Sequence, residues 1–219
     1  MPEFLTGLAA LSRRGNRQAS RNAWPVIDTH RRCRDNAPMA QVGPPPSVKL
    51  FCGMICAQAE MFARARRRLE TAFGPVDLES PVMPFDMTDY YAKQMGRNLL
   101  RRFVSFERLV RPDRLVSAKV RTNRIEADFT RRYGQVTPRP INLDPGYITE
   151  ASLVLATMKN FSHRIYLARG VYGDLTLMYR RGRWEKLPWT FPDYASGRYD
   201  EFLVEARWLL SARKREEQK

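Results

Sequence analysis

The sequence predicts an α+β fold built on a ferredoxin-like split βαβ core, in which two helices cover one face of an antiparallel four-stranded sheet. Between residues 48 and 148, apolar runs of strand length and apolar stripes of helical spacing follow the order strand, helix, strand, strand, helix, strand. With 219 residues, 43% of them hydrophobic, the chain is long enough to bury a core. After residue 150 the pattern changes and predicts an extension that ends in a β-hairpin and a helix.

Four strands of this core are predicted from apolar runs bounded by turn residues. They lie at Val48–Cys56, Val76–Phe85, Asn98–Val110 and Arg139–Ile148. Pro81 interrupts the second run, and proline cannot donate a hydrogen bond to a neighbouring strand. The second strand is therefore expected at an edge of the sheet or with a bulge.

Two helices are predicted between these strands. Gln58–Phe73 carries apolar residues at helical spacing, and Gly74 and Pro75 end it. The second helix begins near Pro112, which suits a first helical turn. Steps of three and four residues predict its buried stripe, which is Leu115, Ala118, Thr122, Ile125 and Phe129. The arginines expected to be exposed on this helix are Arg114, Arg121 and Arg124.

The extension is predicted to begin with a short helix at Ser152–Met158. Three strands follow, at Arg164–Ala168, Asp174–Tyr179 and Trp184–Leu187. A turn at Gly182 joins the last two strands as a hairpin. The chain then returns to a helix over Arg198–Arg213, because apolar residues share one face of that segment.

Residues 1–46 are predicted to be a disordered basic tail followed by a proline-rich linker. Their arginines stand among Asn, Ser and Gly without apolar periodicity, and residues 43–46 read Gly-Pro-Pro-Pro. Met39 is a candidate for the true start of the protein. Residues 47–219 are expected to form a single α+β domain, with a core at 47–149 and the extension at 150–219.

The charge of the chain favours contact with an anionic partner; arginines that are simply solvated at the surface are the alternative. Its 38 Lys and Arg outnumber 23 Asp and Glu, which gives a net charge of +15. No run approaches the roughly 18 consecutive apolar residues of a membrane helix, so no membrane contact is expected. Three cysteines at unhelpful spacing do not indicate a disulfide framework, and a reducing cytoplasm fits best.

Three short segments combine polar and aromatic residues in a way that core packing rarely requires. They are Asn142–Tyr147, Phe161–Tyr166 and Leu187–Tyr194. His163 is a candidate general acid or base, or a phosphate donor beside Arg164; alternatively, its ring fills a turn. Asp144 is the second catalytic candidate. The following Pro145-Gly146 predicts a turn that holds its carboxylate at a strand end, where it alternatively accepts backbone donors.

Further residues in or beside these segments are expected to bind a ligand. They are Arg164, Tyr166, Tyr147, Trp189 and Asp193. Trp189 belongs to a proline-stiffened aromatic segment, which either lines a pocket or caps the sheet. In a regular strand, His163 would face away from Arg164, so a strand alone would not bring both into one pocket.

Other known sites are poorly supported. Cys52 and Cys56 on one strand lie too far apart to share a zinc ion, so core packing is favoured and no metal is predicted. Neither a P-loop nor a G-x-G-x-x-G fingerprint occurs. The predicted third strand is weakly similar to that of RNA-recognition motifs; core packing of Phe103 and Phe106 is the alternative.

From about Lys49 to Arg213, and most specifically in the three polar and aromatic segments, the chain resembles the bacterial domain-of-unknown-function family numbered 4416. The resemblance implies a small cytoplasmic protein of around 180 residues, close to the length that begins at Met39. Some members carry an automatically assigned GTP-binding description, which the missing P-loop does not support. The resemblance implies no catalytic residues and no cofactor.

The leading functional expectation is a protein that binds a small anionic or phosphorylated ligand in a pocket on the extension. Whether it is an enzyme, which cofactor it uses and how many copies associate stay open. The first alternative is a nucleic-acid-binding module that uses its basic helix faces. The second is nucleotide binding, of GTP in particular, without a P-loop.

Overall fold

An antiparallel sheet of nine strands forms the centre of the part of the chain that the computed structural model describes, residues 42–135 and 137–217. The strands are β1 Lys49–Cys56, β2 Val76–Glu79, β3 Met83–Pro84, β4 Leu100–Phe106, β5 Asn142–Ile148, β6 Ser152–Thr157, β7 Arg164–Ala168, β8 Val171–Arg180 and β9 Arg183–Lys186. The helices are α1 Glu60–Phe73, α2 Ala92–Met95, α3 Arg114–Tyr133, α4 Pro192–Ala195 and α5 Asp200–Glu217. The predicted α+β class is confirmed.

The strand order is β2-β4-β1-β5-β6-β8-β7, with β3 beside β4 and β9 beside β8. Every neighbouring pair is antiparallel. The prediction that Pro81 interrupts the second strand is confirmed, because β2 and β3 are separate strands that both pair with β4. The predicted tail, residues 1–46, lies almost entirely outside the described residues.

Helices α1 and α3 cover one face of the sheet, as their apolar stripes predict. The predicted α3 stripe is buried from Leu115 to Phe129, and Arg114, Arg121 and Arg124 are exposed. On β1, Cys52 and Cys56 face this layer and belong to its apolar cluster, so their predicted core packing is confirmed. Burial raises the pKa of both thiols, that of Cys56 to about 12.

The predicted C-terminal helix, whose position the sequence did not indicate, is α5, and it packs on the other face of the sheet. Phe103 of β4 is fully buried there, and its ring stacks on Phe202 of α5 at 5.3 Å between centroids. Phe106 is buried in the α1 and α3 layer. Neither ring can therefore stack on a base. Strand β4 lacks the exposed aromatic side chains with which an RNA-recognition strand binds bases.

Residues 152–158 were predicted as a short helix, but Ser152–Thr157 is strand β6 in the middle of the sheet. Leu153 and Leu155 face the α5 layer, while Val154 and Ala156 face α3. A strand buried on both faces shows no alternation of polar and apolar residues, which removes the signal that distinguishes it from a helix. Through β6, the extension continues the sheet of the first half.

The turn predicted at Pro145-Gly146 was also wrong, because β5 runs through both residues. Gly146 is required there by close approach: a Cβ would lie 2.7 Å from the Phe51 ring and 2.8 Å from the carbonyl oxygen of Val154. Strand β6 pairs with β5 only from Gly146 onward. Asp144 therefore lies inside a strand, on the stretch of β5 that β6 does not cover.

Among the described residues, no helix combines the length and apolar character needed to cross a membrane.

Candidate functional site

A groove of about 760 Å³ lies between the beginning of α3 and the β5, β6 and β7 side of the sheet. We call it the basic groove. Its defining side chains are Arg111, Arg114, Arg169, Tyr147, Val154 and Leu167. The apolar members continue a cluster that joins α3 to the sheet, so the floor of the groove is fixed by packing. The arginines surround this floor.

Local backbone geometry positions two of these arginines. Arg114 is the first residue of α3 and follows Pro112, whose fixed φ angle suits the start of a helix. Arg169 and Gly170 join β7 to β8 with φ angles of 54° and 76°. Two consecutive positive φ angles are typical of a type I′ hairpin turn, whose first position favours Asn, Asp or Gly. An arginine at that position is unusual.

The basic groove carries positive charge that other described residues do not neutralise. Arg111 lies 3.4 Å from the carboxylate of Asp113 in an exposed ion pair. Arg114 and Arg169, both exposed, form no ion pair within residues 42–135 and 137–217. The backbone amides of Arg114 and Leu115 already donate to carbonyl groups at the start of the helix. Arginine side chains are therefore the available donors for an anion.

Two predicted ligand-binding tyrosines border the basic groove. Tyr147 is half-buried against the floor, and burial raises the pKa of its hydroxyl, which therefore stays protonated near neutral pH. Tyr166 is exposed, and its ring packs edge-on against Tyr172 at 5.4 Å between centroids. Tyr147 thus offers a ring and a hydroxyl donor from a fixed position, while Tyr166 lies at the rim.

A second polar cluster forms around Asp174 on the opposite face of the sheet, since Asp174 is aligned with Leu155 rather than with Val154. The Asp174 carboxylate is almost fully buried and accepts a hydrogen bond from Nε of Arg164 at 2.8 Å. Nε2 of His163 lies 3.3 Å from the same oxygen. The His163 ring also stacks on Trp189 at 5.1 Å, and the Trp189 indole donates to the backbone oxygen of Leu175.

This cluster brings together three predicted site residues, namely His163, Arg164 and Trp189. Alternation in a strand would have separated His163 from Arg164, but His163 lies in the turn before β7 begins. Its ring is therefore free to reach Asp174 from the same side as Arg164. Arg164 additionally donates to the backbone oxygen of Lys159, so its Nε and one terminal nitrogen are both engaged within the protein.

Asp144, the other catalytic candidate, has different partners. Its carboxylate oxygens lie 3.7 Å from Arg101 and 3.7 Å from Lys119, and Asn142 donates to one of them. Lys119 also donates to the backbone oxygen of Leu143. Asp144 and His163 are thus held by separate sets of side chains, and no hydrogen bond or ion pair joins the two sets.

Arg101 is the centre of the Asp144 cluster, although the sequence did not single it out. Its side chain is 3% exposed, it donates to the Tyr194 hydroxyl at 2.9 Å, and it lies 4.6 Å from the centre of the Phe103 ring. Gly53 makes room for it, since a Cβ there would approach the guanidinium to 2.7 Å. Asp193, a predicted ligand-binding residue, is buried nearby and accepts from the Tyr199 hydroxyl.

Sequence reasoning missed Asp174, Arg101 and the arginines of the basic groove. An Asp or Arg inside an otherwise apolar strand indicates a buried charge that needs a partner, and this signal was present for Asp174 and Arg101. The groove arises where α3 crosses the end of the sheet, which no local spacing reveals. Within residues 42–135 and 137–217, no three His, Cys, Asp or Glu side chains come together as metal ligands.

The fold and the groove define a basic α+β protein with a nine-stranded antiparallel sheet and an arginine-lined groove at its margin. Residues 46–209 match the family described as "Domain of unknown function (DUF4416)", and the chain belongs to that family. The predicted membership is thereby confirmed. No curated protein and no solved structure gives a significant match.

Proposed function

We propose that the protein binds a small anionic or phosphorylated ligand in the basic groove. The observation that carries this proposal is the presence of Arg114 and Arg169 at one cavity without an ion-pair partner among the described residues. Two guanidinium groups facing the same space repel each other, and an anion between them relieves that repulsion. Guanidinium groups also match the geometry of phosphate and carboxylate oxygens, with two parallel hydrogen bonds.

The ligand is expected to carry an apolar or ring-shaped part besides its charge. Val116, Val154 and Leu167 provide apolar surface, and Tyr147 provides a ring whose hydroxyl remains a donor. A binding site that combines apolar walls with a few placed polar groups is typical of small-molecule pockets. The volume of about 760 Å³ lies within the range of such pockets.

Two alternatives receive less support. Nucleic-acid binding through helix faces requires free basic residues. On α1, Arg66 pairs with Glu70 and Arg68 pairs with Asp128, whereas the exposed Arg121 and Arg124 of α3 form no ion pair among the described residues but do not line the basic groove. A nucleotide such as GTP has the right charge for the basic groove, but no P-loop is present to hold its phosphates. Binding of a small anion accounts for Arg114 and Arg169 without requiring a P-loop or a continuous basic helix face.

The basic groove lies at a junction between two parts of the sheet. We infer that β1, α1, β2, β4, α3 and β5 form a ferredoxin-like unit, because their sheet order β2-β4-β1-β5 is that of a split βαβ arrangement. Strands β6 to β9 extend this unit at β5. The basic groove then lies where the second helix of the unit meets the added strands. We further expect a cytoplasmic location, because Cys52 and Cys56 are unpaired thiols.

Arg169→Asn tests the proposal without endangering the fold, because Asn suits the positive φ angle at this turn. Arg181→Asn is its matched control, since Arg181 and Gly182 form the same kind of turn between β8 and β9 with φ angles of 51° and 80°. Both variants lose one positive charge. Only Arg169 lies on the basic groove.

The probes are inorganic phosphate, pyrophosphate and phenyl phosphate, and the measurement is the melting temperature with and without each probe. A probe at about 100 times its Kd stabilises the fold by about 2.7 kcal/mol, which raises Tm by about 5–10 °C for a domain of this size. We expect this shift in the original protein and in Arg181→Asn, and a smaller shift in Arg169→Asn. Equal shifts in both variants, or no shift with any probe, would overturn the proposal. An oligonucleotide serves as the polyanion for comparison. If it alone raises Tm, and added salt abolishes that rise, nucleic acid is the favoured ligand.

A further inference from the structure

The outer edge of β7 is a second surface with unexplained properties. Strand β7 is the last in the sheet order, and within the described residues no strand pairs with its outer side. Alternate residues of an edge strand direct their N–H and C=O groups outward, where they can bond to another strand. Proteins commonly guard such an edge with charges, proline or bulges. Here a bulge at Leu167, between Tyr166 and Ala168, leaves only Arg164–Tyr166 as a regular edge.

This edge is unusually apolar. Ile165 is 71% exposed, and Tyr166 and Leu167 are also exposed. Further exposed apolar side chains stand next to β7 in the chain, at Met158 and Phe161. Scattered apolar residues are normal on a surface, but a cluster on an unpaired strand indicates an interaction site.

The charge around the edge identifies the kind of partner. From Ala151 to Gly173 the chain contains Lys159, Arg164 and Arg169 but no Asp or Glu; Arg164 is paired with the buried Asp174, so Lys159 and Arg169 are the positive charges available near the edge. A second copy would bring the same positive charges to the interface, which opposes self-association. An acidic partner is attracted by them. Because Ile165 and Leu167 are aliphatic and the backbone groups of the strand are free, an extended polypeptide fits this edge better than stacked bases do.

We propose that an extended acidic segment of a partner protein binds the outer edge of β7 as an additional strand. Its backbone pairs with Arg164–Tyr166, its apolar side chains cover Ile165, and its carboxylates face Lys159 and Arg169, which lie beyond the two ends of the strand. The edge adjoins the basic groove, since Tyr166, Leu167 and Arg169 also line that groove, but Ile165 does not, so a substitution of Ile165 tests the edge separately.

Ile165→Glu is the test variant. It places a like charge against an acidic strand and removes the apolar contact, while the exposed position protects the fold. Val204→Glu is the matched control, because Val204 is an exposed apolar residue on α5, 44% accessible and outside this edge. Both substitutions make the same chemical change. Thermal unfolding of the two variants should match that of the original protein.

The probe is a fluorescent, end-blocked peptide of ten residues that alternates valine with glutamate, and binding is followed by fluorescence anisotropy. We expect Ile165→Glu to weaken binding by about tenfold or more, and Val204→Glu to leave it unchanged. A peptide N-methylated at alternate residues along one edge should lose binding, because it cannot donate to β7.

Four results would overturn the proposal. One is equal loss in both variants, and another is full binding by the N-methylated peptide. A third is preference for a peptide with lysine in place of glutamate or for an oligothymidine, the latter assigning the surface to single-stranded nucleic acid. The fourth is a dimer in sedimentation experiments that Ile165→Glu dissociates, which would make a second copy the occupant.

Discussion

Replacing Arg101 should destabilise the protein more than replacing any exposed arginine, because its charge is held inside an aromatic enclosure. The guanidinium donates to the Tyr194 hydroxyl at 2.9 Å and lies 3.7 Å from Asp144. It also lies 4.6 Å from the centre of the Phe103 ring and 5.4 Å from that of Tyr194. Removal of one member of such a buried set typically costs about 3–5 kcal/mol.

Two variants separate the contribution of volume from that of charge. Arg101→Ala leaves a cavity and an unpaired Tyr194 hydroxyl, so we expect a loss of about 4 kcal/mol. Arg101→Met keeps apolar contact with the rings and should lose about half as much. In the double variant with Tyr194→Phe, the unpaired hydroxyl is gone, so part of the loss seen with Arg101→Met should be recovered.

The assay is urea unfolding at pH 7, followed by tryptophan fluorescence and by circular dichroism. Coincident transitions from the two signals would justify a two-state free energy of unfolding. A loss below about 1 kcal/mol for Arg101→Ala would refute the reasoning, because it would show that the guanidinium is hydrated rather than buried. Failure of the double variant to recover stability would show that Tyr194 is not the relevant partner.

Two further predictions concern buried groups. Asp174→Asn should cost about 3 kcal/mol in the same urea assay, because it removes the carboxylate that Arg164 and His163 share; an unchanged free energy of unfolding would contradict this. The folded protein should lose stability as pH rises above about 9. Burial raises the pKa of the Cys52 and Cys56 thiols above their ordinary value of 9.0. The unfolded chain therefore releases these protons at lower pH than the folded protein does, which favours unfolding. Unfolding at pH 7 and pH 10 checks this, and a Cys52→Ala, Cys56→Ala protein should show a smaller pH dependence.

The sequence was most informative where periodicity directly reports burial. The α3 stripe at Leu115 to Phe129 was predicted residue by residue, because a helix with one buried face leaves a regular pattern. Strand β6 was missed because Leu155 and Ala156 are buried on opposite faces, which leaves an uninterrupted apolar run. The turn predicted at Pro145-Gly146 was wrong for another reason. Glycine is required there because the Phe51 ring lies too close for a side chain, and not because the backbone has a positive φ angle.

The candidate site was less predictable than the fold. His163, Arg164 and Trp189 lie near one another, and what unites His163 with Arg164 is Asp174, a buried residue on β8. Asp144 was grouped with them because the segments that contain these residues share an unusual composition. Composition reports that polar groups need partners, whereas tertiary contacts decide which partners they meet. Asp144 meets Arg101 and Lys119 instead.

The pairing of charges separates the groups that stabilise the fold from those available to a ligand. The Leu187–Tyr194 segment joins both polar clusters, since Trp189 stacks on His163 and Tyr194 binds Arg101. In these clusters each buried charge has a partner of opposite charge close by, so each is explained by the stability of the folded chain. Arg114 and Arg169 lie at the basic groove across the sheet and lack such a partner among the described residues, because Asp113, the acidic residue that also lines the groove, pairs with Arg111 and supplies no negative charge to them. A ligand anion supplies that negative charge, which is why the basic groove rather than the histidine cluster is the proposed site.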